Sequence, residues 1–283
     1  MHWTWHDSII MEAIERYQVR GLPGYVERLS FDGRIVDYWA PKASTSHLLV
    51  AHDGQNVFDK RTATRHQTWR MAQSAINVSK ELGTVPPAII AVFHSRTPTN
   101  PWGRIIDLAP QDPFQNGVPA VASSAPPPVS AEELMGNAYL AQITDVIAPE
   151  ITAELGLDLA KLDTALIGSS MGGLAALYGL GKRSDFFTTG LALSTHWVAG
   201  DYALVDALID LLPKPGKHKI WMSHGTRGHD AKYAPYQKHA DAKMKEAGWH
   251  LGKDFETRVY NRSGHNERSW ARYLDQPMKF WLG

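Results

Sequence analysis

LIGSSMGGLAALYGL (residues 166–180) starts as an apolar run and ends in a helical pattern, with Gly168, Gly172 and Gly173 crowded around Ser170. Glycine costs backbone entropy, so three in six residues need a steric or conformational reason. Gly168-Ser169-Ser170-Met171-Gly172 is G-x-S-x-G, directly after the strand-like TALI and directly before the helical GGLAALYGL. This is the sequence of a nucleophile elbow: a serine on a strained strand-to-helix turn, where larger neighbours would clash. Gly173 lets the helix pack close to the sheet. No Lys-Ser or Lys-Thr closes the stretch, which argues against a phosphate-binding loop.

Working outward, short apolar runs of the kind found in buried parallel strands recur: HLLVAHDG, AIIAVFHS, TALIGSS, GLALS and HKIWMSHG. FETRVYNRSGH is more amphipathic and suits an edge. VERLSFDGRIVDYWAP (residues 26–41) carries two β-rich runs around Asp32-Gly33, a hairpin signal. Helical patterns cover about residues 66–82, 131–155, 171–182, 201–212, 233–247 and 266–281. The fold class is α/β, with a mostly parallel eight-stranded sheet and helices on both faces, in one domain spanning 1–283. Residues 111–133 (QDPFQNGVPAVASSAPPPVSAEE) have no period; they are an irregular excursion or a flap over a pocket.

Composition narrows the function. Lys plus Arg and Asp plus Glu are 29 each, a balance that argues against a nucleic-acid binder. No apolar run reaches the roughly 18 residues of a membrane span. The first eighteen residues show no basic, apolar leader pattern, so a cytoplasmic location is expected. The absence of cysteine excludes disulfides and cysteine nucleophiles. There is no H-E-x-x-H, and neither a metal nor another cofactor is expected.

A serine nucleophile needs a base, and the base needs an orienting acid, in the chain order serine, acid, histidine. His265, in NRSGHNERSW, follows the final strand and precedes the last helix, where it can reach back over the serine. For the acid, Asp230 follows the strand ending near His224, and Asp201 follows the strand before that. Asp230 is favoured. Glu267 is too close in sequence to His265 to orient its ring. The oxyanion donors are expected from the Met171 amide and from HDGQNVFD, where Gly54 permits a tight turn and the amide of Gln55 or Gly54 faces the serine. Asp53 and Asn56 hold that turn with side-chain hydrogen bonds.

HDGQNVFD, RIIDLAP, GSSMGGLAALYGL, LALSTHW, HGTRGHDAKYAPY and SGHNERSWARY together resemble the esterase D and enterochelin-esterase-like branch of the α/β-hydrolases. Feruloyl esterases, S-formylglutathione hydrolases and mycolyltransferases belong to the same group. The likeness runs from about residue 30 to the C-terminus. It implies an α/β-hydrolase fold with Ser170 as nucleophile, Asp230 as acid, His265 as base, and the Gln55 and Met171 amides as oxyanion hole. It also implies that Arg104 and Asp107 brace the loop beside the site, and that Trp197 lies near the pocket. Two features depart from the pattern: His196 in STHW, and the proline-rich insert after Pro110.

Among the tryptophans, Trp3, Trp5, Trp39, Trp69, Trp221, Trp249 and Trp270 are expected to fill the core or cover grooves. Trp102 and Trp197, with Arg104, are the candidates for substrate contact. The expected activity is hydrolysis of a small or aromatic-acyl carboxylic ester through an acyl-enzyme. Acyl transfer to an alcohol or sugar, and a non-catalytic binding protein on the same scaffold, are the alternatives. Neither the particular ester nor the oligomeric state is legible.

Overall fold

The computed structural model describes residues 11–120 and 129–283. In chain order it runs β1 (Met11–Tyr17), β2 (Val26–Phe31), β3 (Arg34–Trp39), β4 (His47–Ala51), α1 (Met71–Leu82), β5 (Ala88–Val92), α2 (Gly103–Leu108) and α3 (Gln111–Gln115). Then come α4 (Gly136–Gln142), a π-turn (Ile143–Ile147), α5 (Ala148–Glu154), β6 (Asp163–Ser169) and α6 (Met171–Lys182). The chain closes with β7 (Thr189–Leu193), α7 (Asp201–Leu211), β8 (Lys219–Arg227), α8 (Ala234–Glu246), β9 (Phe255–Gly264), α9 (Glu267–Tyr273) and α10 (Asp275–Leu282).

One nine-stranded sheet has the order β1-β2-β3-β5-β4-β6-β7-β8-β9. β1, β2 and β3 pair antiparallel, and β3 is antiparallel to β5; the rest of the sheet is parallel. The parallel strands are short and apolar because both of their faces are covered. In β4, Leu48 and Val50 enter one core while Leu49 and Ala51 enter the other. Ile90 and Ile89 of β5, and Leu166 and Ile167 of β6, divide in the same way. Residues of α4 to α8 build the first core, and residues of α1, α9 and α10 the second.

Among the described residues the sheet has nine strands where eight were expected. β1 is the addition: Met11–Tyr17 is largely exposed and lacks an apolar alternation, so pairing with β2 alone makes it a strand. The first helix begins at Met71 rather than residue 66, because Arg65, His66 and Arg70 adopt left-handed backbone conformations that an α-helix cannot contain. Part of the 111–133 segment is ordered as α3, and its residues 121–128 lie outside the described residues, as do Trp3 and Trp5. Trp39, Trp69, Trp221, Trp249 and Trp270 are buried, as expected. Among the described residues no helix is long and apolar enough to cross a membrane.

Candidate active site

The elbow forms where β6 ends. Ser170 sits at φ 57°, ψ −120°, a conformation that side chains rarely adopt and that costs about 1–3 kcal/mol. Four backbone contacts hold it there. Its N–H donates to the Leu193 carbonyl at 2.9 Å, and its carbonyl accepts from Gly173, Leu174 and His196 at 3.0, 3.2 and 3.2 Å. The neighbouring glycines leave little room for side chains. A Cβ on Gly168 would run into the Gly172 backbone, and one on Gly172 would stand 3.3 Å from both Asp53 Oδ2 and His52 Cβ.

That last contact shows how the loop after β4 meets the elbow. The His52 N–H donates to the Ile167 carbonyl at 2.9 Å, and Asp53 turns the chain at φ 54° into the short Gly54–Asn56 helix. Gly54 has no room for a side chain against the Ala91 and Val92 backbone. Arg104 clamps the turn with two donors, Nε and Nη2, each 2.7 Å from a different Asp53 oxygen. Asp53 is buried, which alone would raise its pKa, but Arg104 and the nearby His94 and His52 bring it below the ordinary carboxylate value. Among the described residues neither the Met171 nor the Gln55 amide has a hydrogen-bond acceptor.

On the other side, Asp230 is fully buried and accepts three hydrogen bonds: from His265 Nδ1 at 2.6 Å, Ser194 Oγ at 2.7 Å and the Gly225 N–H at 2.7 Å. Desolvation pushes its pKa up, and these donors overcome that and hold it below the ordinary value. An ionised carboxylate can only accept, so His265 carries its proton on Nδ1 and leaves Nε2 as the basic nitrogen. The His265 ring is fixed edge-on to Trp270 and Tyr233, with centroids 5.1 and 5.8 Å away. Trp270 Nε1 in turn donates to Ser194 Oγ at 2.9 Å, which orients that hydroxyl toward Asp230.

Asp201 takes no part in this network. It opens α7 and its Oδ1 accepts from the Tyr202 N–H at 3.0 Å. Asp107 pairs with Arg34 at 3.0 and 3.2 Å and accepts from the Ser95 N–H, which ties down the chain after β5, while Arg104 braces the turn after β4 through Asp53. Arg104 commits Nε and Nη2 to Asp53, and its side chain stays 26% exposed. Trp197 is corrected as well. It is completely buried, with Nε1 3.3 Å from Gln237 Oε1, and therefore belongs to the core rather than to a pocket wall. Trp102 remains 45% exposed at the start of α2.

Further side chains surround this arrangement. His196 Nδ1 lies 2.8 Å from the Tyr233 hydroxyl. Burial, with the neighbouring His265, Arg104 and His229, depresses the His196 pKa to about 4, so the ring is neutral at pH 7. Asn56 does more than cap its own turn: Oδ1 accepts from the Thr64 N–H at 2.8 Å, and Nδ2 donates to Glu267 Oε1 at 3.3 Å, tying the turn to α9. The departure at STHW was the available signal for His196. Asn56 and Glu267 are 211 residues apart, and no local pattern reveals such a pair.

A strained serine at a strand-to-helix turn, with a carboxylate-oriented histidine on the same parallel sheet, defines an α/β-hydrolase fold. The family described as "Putative esterase" matches residues 33–281, and the chain belongs to it. Solved structures agree in fold. The enterobactin esterase FES of Shigella flexneri, solved in the presence of enterobactin, is 14% identical with a TM-score of 0.63, over 97% of this chain and 59% of that one. This chain thus spans little more than half of that esterase. The IroE-like serine hydrolase of Shewanella oneidensis is 18% identical with a TM-score of 0.62, over 96% and 80%. The siderophore hydrolase EstA of Aspergillus nidulans is 17% identical with a TM-score of 0.55, over 98% and 100%. No curated protein matches the sequence.

Proposed function

We propose that the chain is a serine esterase using Ser170, Asp230 and His265 on a small-molecule ester, with the whole of 1–283 as one esterase domain. The 2.6 Å contact between His265 Nδ1 and a buried, ionised Asp230 carries this reading, since it prepares Nε2 as a base. His265 Nε2 takes the proton from Ser170 Oγ as the oxygen bonds to the acyl carbon. The carbonyl oxygen becomes an oxyanion facing the Met171 and Gln55 amides. The tetrahedral adduct collapses, the alkoxide leaves with the proton from His265, and the acyl group stays on Ser170. Water, deprotonated by the same histidine, then releases the acid and restores the serine.

The substrate class is a small ester with an aromatic acyl part. Supporting it are the exposed Trp102 indole beside the Arg104 segment and the named small-molecule substrate of the Shigella flexneri relative. Initial rates on p-nitrophenyl acetate and p-nitrophenyl benzoate test the reading. Turnover of both, the benzoate at the higher kcat/KM, with a loss of about 10⁴-fold or more in Ser170→Ala, is expected. Equal turnover by the alanine variant would refute it.

A further inference from the structure

A cavity of about 950 Å³ opens between the end of β1, the chain after the Gly54–Asn56 turn and α9. None of Ser170, Met171, Asp230 or His265 lines it. It is nevertheless close to them along the chain: Val57 and Phe58 follow Asn56 directly, and Arg268 follows Glu267, which Asn56 holds at 3.3 Å. Val57, Phe58 and Ala271 give it an apolar portion.

Its charge is one-sided. Arg20, Lys60, Arg70, Arg268 and Arg272 line it, and none has an ion-pair partner among the described residues. The two carboxylates present are already engaged: Arg61 Nη2 lies 2.8 Å from Glu15 and 2.9 Å from Asp59, and Arg28 approaches both at 3.5 Å. This occurs in a chain whose formal charge is zero. Cations gathered in a concave site repel one another and focus positive potential, and a bound anion relieves both.

The part of the rim that carries Arg70 has a fixed backbone. In the 64–70 stretch, Arg65, His66 and Arg70 take φ values of 53°, 55° and 54°. Asn56 anchors this stretch through the Thr64 N–H at 2.8 Å and the Trp69 N–H at 2.9 Å, while His66 Nδ1 lies 2.9 Å from the Lys60 carbonyl. Left-handed arginines persist only where the surroundings impose them, so the rim is set before any ligand arrives.

We propose that this cavity binds a small organic phosphate, its dianionic end held by Arg70, Arg268, Arg272 and Lys60 and its apolar end against Val57 and Phe58. Several guanidinium forks suit the oxygens of one phosphate better than a single carboxylate. The site does not depend on the serine-esterase reading. Isothermal calorimetry in about 0.15 M salt, where exposed charges are well screened, tests it with phenyl phosphate, inorganic phosphate and benzoate.

Saturable one-to-one binding of phenyl phosphate, tighter than inorganic phosphate and than benzoate, is expected in the wild type and in Ser170→Ala alike. It should weaken at least tenfold in a folded Arg268→Gln/Arg272→Gln variant, and in Arg70→Gln as a separate variant. A Lys214→Gln/Lys217→Gln control, at basic residues elsewhere, should bind as the wild type does. Absence of saturable binding, benzoate binding as tightly as phenyl phosphate, unchanged binding in the cavity variants, or equal weakening in the control would each overturn the proposal. Binding that persists in Ser170→Ala separates this site from any failure of the esterase reading.

Discussion

The Asn56–Glu267 contact lies next in sequence to Val57 and Arg268 of the basic cavity, yet the cavity and the Ser170–His265 region treat charge in opposite ways. Beside the serine every buried carboxylate is satisfied: Asp53 by the Arg104 fork and Asp230 by three donors. In the cavity five cations face solvent without a counter-ion among the described residues. The first arrangement orients dipoles and protons in advance of chemistry, so nothing must reorganise when charge develops. The second leaves its charges to be completed from outside. A fold can thus place a closed electrostatic network and an open one on opposite sides of a single side-chain contact.

The contrast can be broken by mutation. Asp230→Asn should lower kcat on p-nitrophenyl acetate by about 10⁴-fold, because it disturbs the tautomer and orientation of His265. Arg268→Gln/Arg272→Gln should leave kcat on this neutral ester within about twofold. Steady-state kinetics on the three proteins distinguish the two regions, and comparable losses would erase the distinction. Arg104→Met leaves the buried Asp53 charge unpaired and should cost about 3 kcal/mol or more in urea unfolding. Arg70→Gln should change stability by no more than about 0.5 kcal/mol. Gly168→Ala, forced against the Gly172 backbone, should cost about 1–3 kcal/mol and lower activity with it.

Acid should sharpen the contrast less dramatically. His52 and His196 are both depressed to about pH 4 by burial, chiefly, so the unfolded chain binds their protons more readily than the folded one. Stability should therefore rise with pH between about 4 and 6.5, by up to ~1.4 kcal/mol per pH unit for each proton released. Asp53 and Asp230 are lowered, so their stabilisation is present above the unfolded carboxylate value near 3.9 and is lost as pH falls through their folded values. Urea melts across pH 3.5–7 check the sign; a flat profile would show that the histidines are not buried as described.

What was legible in the sequence was local. The glycines around Ser170 announce a crowded turn because the crowding is between near neighbours, and the alternating apolar runs announce strands covered on both faces. Loops after successive strands of a parallel sheet emerge at one end, so candidates for acid and base could be taken from chain order. What escaped depends on distant partners. Asp107 meets Arg34 across 73 residues. Trp197 occupies a loop in sequence but is drawn inward by Gln237 and the surrounding core. β1 becomes a strand through pairing with β2, aided by the 2.9 Å Arg16–Glu27 bridge, rather than through any apolar face of its own. The basic cavity is assembled from three separate segments, and each of them alone resembles an ordinary solvated surface.

The central claim is that Ser170 is an activated nucleophile. Its most direct test is intact-mass analysis after fluorophosphonate treatment of the wild type, Ser170→Ala and Arg268→Gln/Arg272→Gln, followed by mapping of the modified peptide. One adduct per chain on Ser170 is expected in the wild type and the cavity variant, and none in Ser170→Ala. A folded wild type that stays unlabelled, or an adduct that persists in Ser170→Ala, would contradict it.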